Sequence, residues 1–435
     1  MYHHRPEKRR RITPPPPAAG VALPDDLLFM EVLVRLPVKL LVRFKCVCSS
    51  WRARMEEDAF IRRHRDFSRA SPPSMLVIAR KNASEDDGDG DLSSDDVGDR
   101  DLSENITFYR LRPGQTLGGF EAKAELLLEK SACPPEAGGI TDVTLATHCD
   151  GLIAVATTKN QVFVCNPATK ELVALPLGSP DVDCGEKSPS SAAIGFDRWR
   201  NQYVVARYFY RRWCYDESSR GALDYDIGHE VFTLGGDSWE LTVDPPHAIG
   251  STPPACTGDA FYWVCDAVED PRPSSLLRFS LRDRTFGPVP CPPDFAYHPA
   301  LDHLAELDGK LCHVSNGGPS LTTFDVWQLA DDDETRPAQW SLRCRIDPGL
   351  EYDECFGSYG FQPLWAAGGG MLVRVSDDDE KLYWCNEKEE GVEEVVDLEE
   401  HANLEQYDNT CYVHHVVPYK ESLVSPSGSV RRNTN

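Results

Sequence analysis

The side chains best suited to nucleophilic, acid–base or metal chemistry here are 15 cysteines and 12 histidines. Their spacing argues against each use. A redox pair or a structural zinc site calls for thiols at the CxxC spacing, and no two cysteines stand so. Cys46 and Cys48 are two apart in a stretch that reads as helical, which makes them packing residues. His414 and His415 are adjacent in a stretch that reads as a strand, so their side chains point to opposite faces and do not share a metal. His148 beside Cys149 meets the same obstacle. No GxSxG, HExxH, GxxxxGKS/T or GxGxxG stands in a suitable context. The expectation is a protein with no catalytic residue, no cofactor and no metal, whose chemistry is that of binding surfaces.

Composition limits which elements can carry those surfaces. Of 435 residues, 41% are hydrophobic and 26% charged, enough for one small domain and one large repetitive one. Lys and Arg number 45 against 70 Asp and Glu, a formal charge of −25. Phosphate would be repelled by most of such a surface, so no nucleic-acid partner is expected. No run approaches 18 apolar residues, so no membrane span is expected either. The odd, scattered thiols fit a reducing compartment, cytoplasm or nucleus. Residues 1–22 read as a disordered tail, with Lys8, Arg9, Arg10 and Arg11 ahead of Pro14 to Pro17. The basic run reads either as a nuclear import signal or as a solvated tail. Residues 85–104 hold ten acids and one base and read as a disordered acidic insert, and 427–435 as a disordered polar tail.

Between Leu23 and Trp51, 18 of 29 residues are apolar. Pro24 with Asp25 and Asp26 marks a helix start, and Pro37 ends that helix near Leu36. A second helix is expected over Val38 to Val47. A third begins at Ser49 or Ser50 and carries Trp51, Met55, Phe60 and Ile61. Three helices in under 50 residues bury little core, yet these present more apolar faces than they need. That surplus points to a partner surface. Docking on the rest of the chain is the plainer alternative, and the acidic spacer argues against it.

These same residues resemble the plant F-box motif: Leu23-Pro24-Asp25-Asp26-Leu27, then Arg35-Leu36-Pro37-Val38-Lys39, then Arg43-Phe44-Lys45-Cys46-Val47-Cys48-Ser49-Ser50-Trp51-Arg52. The resemblance implies an F-box over 23–70 that packs on a Skp-type adaptor and, through it, meets a cullin and a RING subunit. Leu23, Pro24, Leu27, Leu33, Pro37, Leu41, Val47, Cys48 and Trp51 fall on positions expected to support that fold or contact. Leu40 and Ser49 depart from residues common in plant members, without removing an apolar anchor.

From Asp142 onward short apolar runs alternate with Gly, Asn, Asp and Pro turns. Strand–turn–strand units recur at Gly151–Leu175, Glu230–Leu241, Leu276–Phe286, Leu321–Leu342 and Lys381–Leu398. Taking Phe163, Phe232, Phe279, Phe324 and Tyr383 as equivalent anchors, the spacing suits four-stranded blades, with a polar insert at Cys214–Gly228 stretching one of them. Trp239, Trp340 and Trp384 read as inter-blade packing. Residues 411–417 would pair with 74–79 or 106–111 to close the ring, since an open ring would expose an apolar edge. The fold class is therefore mainly β with a small all-α N-terminal domain: a propeller of about six blades over 72–426. His148 to Leu152, Cys165 to Lys170, Gly195 to Asp197 with Tyr203 to Val205, Glu230 to Gly235, and Pro418-Tyr419 with Glu421 to Val424 resemble the plant F-box-associated interaction domain. Together the resemblances imply a non-catalytic subunit of a ubiquitin ligase that captures an unknown target protein. The alternatives are a scaffold that sequesters the adaptor without degradation, and a receptor gated by a small molecule.

Overall fold

The computed structural model describes residues 24–81, 105–114, 119–121, 123–131, 146–157, 161–182, 192–214, 224–250, 252–265, 275–293, 303–316, 323–330, 339–347, 360–376, 381–387, 392–398 and 411–428. Leu23, the basic tail, the acidic insert at 85–104 and residues 429–435 lie outside them.

The helical segment opens with α1, a continuous run from a turn of α-helix (Asp25–Leu27) through a wider π turn (Leu28–Val32) to a 3-10 turn (Leu33–Arg35). It is followed by α2 (Val38–Phe44), α3 (Ser49–Met55) and α4 (Asp58–Ala70). Pro24 and Pro37 stand immediately before α1 and α2 in extended conformation. Their carbonyls accept the first helical hydrogen bonds, from Leu28 and from Leu40 and Leu41. The expected third helix is two helices, broken at Glu56–Glu57, with Met55 ending one and Phe60 in the next. The break lets Met55 and Phe60 fill one core from two directions.

Six four-stranded antiparallel blades follow. Blade 1 joins β1 (Ser74–Lys81), β2 (Asn105–Leu111) and β3 (Glu125–Ser131) to the last of the described strands. Blade 2 is β4 (Thr147–Cys149), β5 (Leu152–Ala156), β6 (Val162–Asn166) and β7 (Glu171–Ala174). Blade 3 is β8 (Ala192–Asp197), β9 (Gln202–Cys214), β10 (Asp224–Thr233) and β11 (Glu240–Leu241). Blade 4 is β12 (Ala255–Cys256), β13 (Ala260–Trp263), β14 (Ser275–Ser280) and β15 (Phe286–Pro290). Blade 5 is β16 (His303–Leu307), β17 (Lys310–Asn316), β18 (Phe324–Leu329) and β19 (Trp340–Ile346). Blade 6 is β20 (Gly360–Ala367), β21 (Gly370–Ser376), β22 (Lys381–Asn386) and β23 (Val392–Asp397). The closing strand is β24 (Cys411–Tyr419), which pairs with β1 so that Ser74 faces Tyr419 and Val77 faces Val416. The closure expected from the sequence is present, on 74–79 rather than 106–111.

The strands β24, β4, β8, β12, β16 and β20 contact one another in turn around the axis. Every blade is covered on both faces by neighbours, which is why β5 and β6 are buried along their whole length and read as continuous apolar runs, not alternating ones. Six separate cores fill the six gaps between blades. Phe163, Phe232, Phe279, Phe324 and Tyr383 all fall on the third strand of their blades. Phe324 is out of phase with the rest: it packs toward blade 6, where the others pack toward the preceding blade, because one residue of offset reverses a strand's faces. Trp239 and Trp340 donate from Nε1 to the carbonyls of Pro176 and Pro290, each in the preceding blade, and Trp384 packs in the gap between blades 6 and 1. The stretch read as a polar insert is partly strand, since residues 224–228 belong to β10. No helix among the described residues is long and apolar enough to cross a membrane.

Candidate functional site

The helical segment has two faces with different surroundings. Inward, Phe29, Leu33, Val34, Val38, Leu41, Met55 and Phe60 form one core. Trp51 is half-buried and meets Phe29 and Phe44 edge to face, at 5.5 and 6.0 Å between ring centres. Outward, Leu27 is 50% exposed, Val32 46%, Val42 37% and Val47 61%. The motif residues are thereby sorted. Leu33 and Leu41 are core, Trp51 and Pro37 lie between, and Pro24, Leu27, Val47 and Cys48 are exposed. Val32 and Val42 add to the exposed set from outside the assigned motif positions. Their signal in the sequence is weak, because an apolar residue among apolar neighbours does not declare which face it takes.

The opposite side of the helices is fixed to the ring, which corrects the expectation that the acidic spacer keeps the two apart. At the end of α4, Arg69 donates two hydrogen bonds of 2.6 Å to the carboxylate of Asp150. Asp150 and Gly151 are the two-residue turn between β4 and β5, with φ of 50° and 81°, the positive values that such hairpins require. Tyr203 donates to the same carboxylate at 2.8 Å, and Arg65 lies over the ring of Phe196 at 4.7 Å. Burial, aided by the nearby Asp150 charge, pushes the Tyr203 hydroxyl well above its ordinary value.

The residues after β24 complete this junction. Lys420 donates to the carbonyl of Arg69 at 2.5 Å. Glu421 accepts three times: its carbonyl from the Ser68 hydroxyl at 2.7 Å, and its carboxylate from the Val38 N–H at 3.2 Å and from Arg110 at 2.6 Å. Ser422 donates to the Asp150 carbonyl, and Asn166 donates to the carbonyls of Ser422 and Val424 at 3.0 and 2.8 Å. Leu423 enters the helical core, while its neighbour Val424 enters the core between blades 2 and 3. Beside them, Glu125 takes hydrogen bonds from Arg110, Arg112 and Lys39 of α2. Its partial burial alone would raise its pKa, but the three cations outweigh that and hold it at about 2. Four of the five segments that resemble the F-box-associated domain meet at this junction. The fifth, at Leu234 and Gly235, packs against Gly428.

Inside the ring the first strands of the blades and their turns line a pocket of about 600 Å³. Arg69, Asp150, Arg198, Asp259, Glu306, Asp308 and Lys420 are among its lining residues, a mixture of charges without one sign. Burial holds His148 down to about 4 and raises Glu306 above its usual range. Among the described residues no group of His, Cys, Asp and Glu is placed to hold a metal ion.

The chain is similar to known proteins. The model of the F-box associated beta propeller domain matches residues 121–426. F-box protein At1g47810 of Arabidopsis thaliana is 28% identical over 341 residues, covering 74% of this chain and 87% of that one. F-box protein At3g22700 of the same plant is 24% identical over 349 residues, covering 78% and 89%. Putative F-box/kelch-repeat protein At1g13200, also of Arabidopsis, is 24% identical over 330 residues, covering 72% and 70%. A six-bladed ring closed by its last strand, four helices ahead of it and a family match across most of the ring place this chain among the plant F-box proteins with an F-box-associated β-propeller.

Proposed function

We propose that this protein is the substrate-recognition subunit of an SCF-type ubiquitin ligase. The single observation that carries the reading is the exposed aliphatic set Leu27, Val32, Val42 and Val47 on helices whose other side is bound to the ring. Aliphatic side chains left in water on an otherwise well-filled unit favour association. The partner is a Skp-type adaptor, which brings a cullin and a RING subunit. The propeller holds the target protein. No side chain of this chain takes part in bond-making; the rate gain comes from the raised local concentration of a target lysine near the charged ubiquitin carrier.

The test is adaptor capture by Leu27→Asp and Val47→Asp variants. Both positions are exposed, so the thermal transition should move little, while adaptor affinity should fall at least about tenfold. Unchanged capture with both substitutions combined overturns the reading. Cullin in the captured complex, with ubiquitin on a co-purified target, separates degradation from simple sequestration of the adaptor.

A further inference from the structure

We infer that the F-box helices reach their binding-competent fold only when the propeller ring is closed, because the segment that follows the closing strand supplies part of the F-box core. The inference rests on the adaptor reading for its functional consequence, but not for its structural content.

Leu423 is 5% exposed and packs among the helical core residues, although it lies more than 350 positions from α4. The helices alone bring a core of seven fully buried apolar side chains, too small to be secure without help. Glu421 serves both partners at once. Its carboxylate accepts from the Val38 N–H at the start of α2 and from Arg110 of blade 1, while its backbone carbonyl accepts from the Ser68 hydroxyl of α4. One residue, Lys420, separates Glu421 from Tyr419 at the end of β24. Tyr419 is registered against Ser74, four residues after α4 ends. Ring closure therefore delivers the clasp to the underside of the helices: where β24 pairs, Leu423 is in place, and where β24 is unpaired, it is not. Coupling of this kind is reciprocal, so adaptor binding also stabilises the closed ring.

The experiment is amide hydrogen exchange on full-length protein, with adaptor affinity as second readout. Leu423→Asp places a charge in the helical core and touches none of the inter-blade cores. Val416→Asp lies in the core between blades 6 and 1, away from every helix. Leu423→Asp should speed exchange in α2 and α4 at least about tenfold while blades 3 and 4 keep wild-type protection. Val416→Asp should speed exchange in α2 and α4 as well as in β1. The milder Leu423→Ala should lie between Leu423→Asp and wild type if the charged variant loses all protection. Adaptor affinity should fall in the same order. Wild-type exchange in the helices of both Leu423 variants overturns the inference, as does Val416→Asp opening β1 with the helices unaffected. If the wild-type chain fails to bind the adaptor, the proposed function fails, and the exchange comparison still decides the coupling.

Discussion

His229 shows how much a single buried ring can weigh. It sits within 6 Å of the rings of Trp263, Phe279 and Phe286, and burial holds it neutral with a pKa near 3. His303 is held down to about 4, also by burial. With His148, and with His64, which burial also lowers, four described histidines have folded values below the unfolded one of about 6.5. The unfolded chain therefore binds more protons through this window. Stability is intact above pH 6.5 and is lost as pH falls toward 4. Each histidine should contribute a slope of up to roughly 1.4 kcal/mol per pH unit, read as urea midpoints between pH 7 and 4. A flat midpoint across that range would show these rings are not buried neutral. At this scale the sequence spoke unevenly. Pro24 ahead of the first helix, Pro37 at its end and the tryptophans between blades were legible, since local geometry and repetition mark them. Glu421 and Leu423 were not: their partners lie hundreds of residues away, and no periodicity connects them.

Two hairpin turns of like construction give a controlled comparison among elements. Asp150–Gly151 joins β4 to β5 and Asp308–Gly309 joins β16 to β17, and both glycines have φ of 81°. A Cβ at Gly151 would lie 2.7 Å from the Lys420 carbonyl, whereas one at Gly309 would meet nothing within 4 Å. Alanine at either position carries the left-handed backbone penalty of about 1 kcal/mol. Gly151→Ala should be worse than Gly309→Ala by at least about 1 kcal/mol in chemical denaturation, because backbone has to move aside. Equal losses would mean that the clasp does not press on the turn. Blade strands were readable from the sequence because apolar runs of five or six residues ended at turn residues. The break between α3 and α4 was not, since Glu56 and Glu57 are ordinary helix formers and the core alone makes the chain bend there.

For the molecule as a whole, the first and last strands form one blade, so the ring has no free end. A chain ending at Gln406 lacks β24 and the clasp together. It should aggregate or unfold over a broad range, lose exchange protection at residues 74–79, and lose it in the helices too; a chain ending at Val430 should melt like the full-length protein. Protected helices in the shorter chain would show that they fold as a free module. The sequence conveyed the number of blades and the closing strand, but it argued against docking of the helices, because the acidic tract looked like a spacer, whereas the strands on either side of it, β1 and β2, are paired neighbours.

The place of Leu423 in the chain has a consequence during synthesis. The ribosome releases the F-box helices first and their last core residue about 350 residues later. At roughly 5–20 residues per second, that is a delay of about 20–70 seconds. Throughout it the nascent helices lack a finished core. On the proposed adaptor reading, a message with a premature stop codon, or a stalled ribosome, would then yield a product that displays the F-box motif without the shape to occupy an adaptor. Defective copies would not compete with complete ones for a shared pool, so the fold itself would guard against dominant-negative fragments.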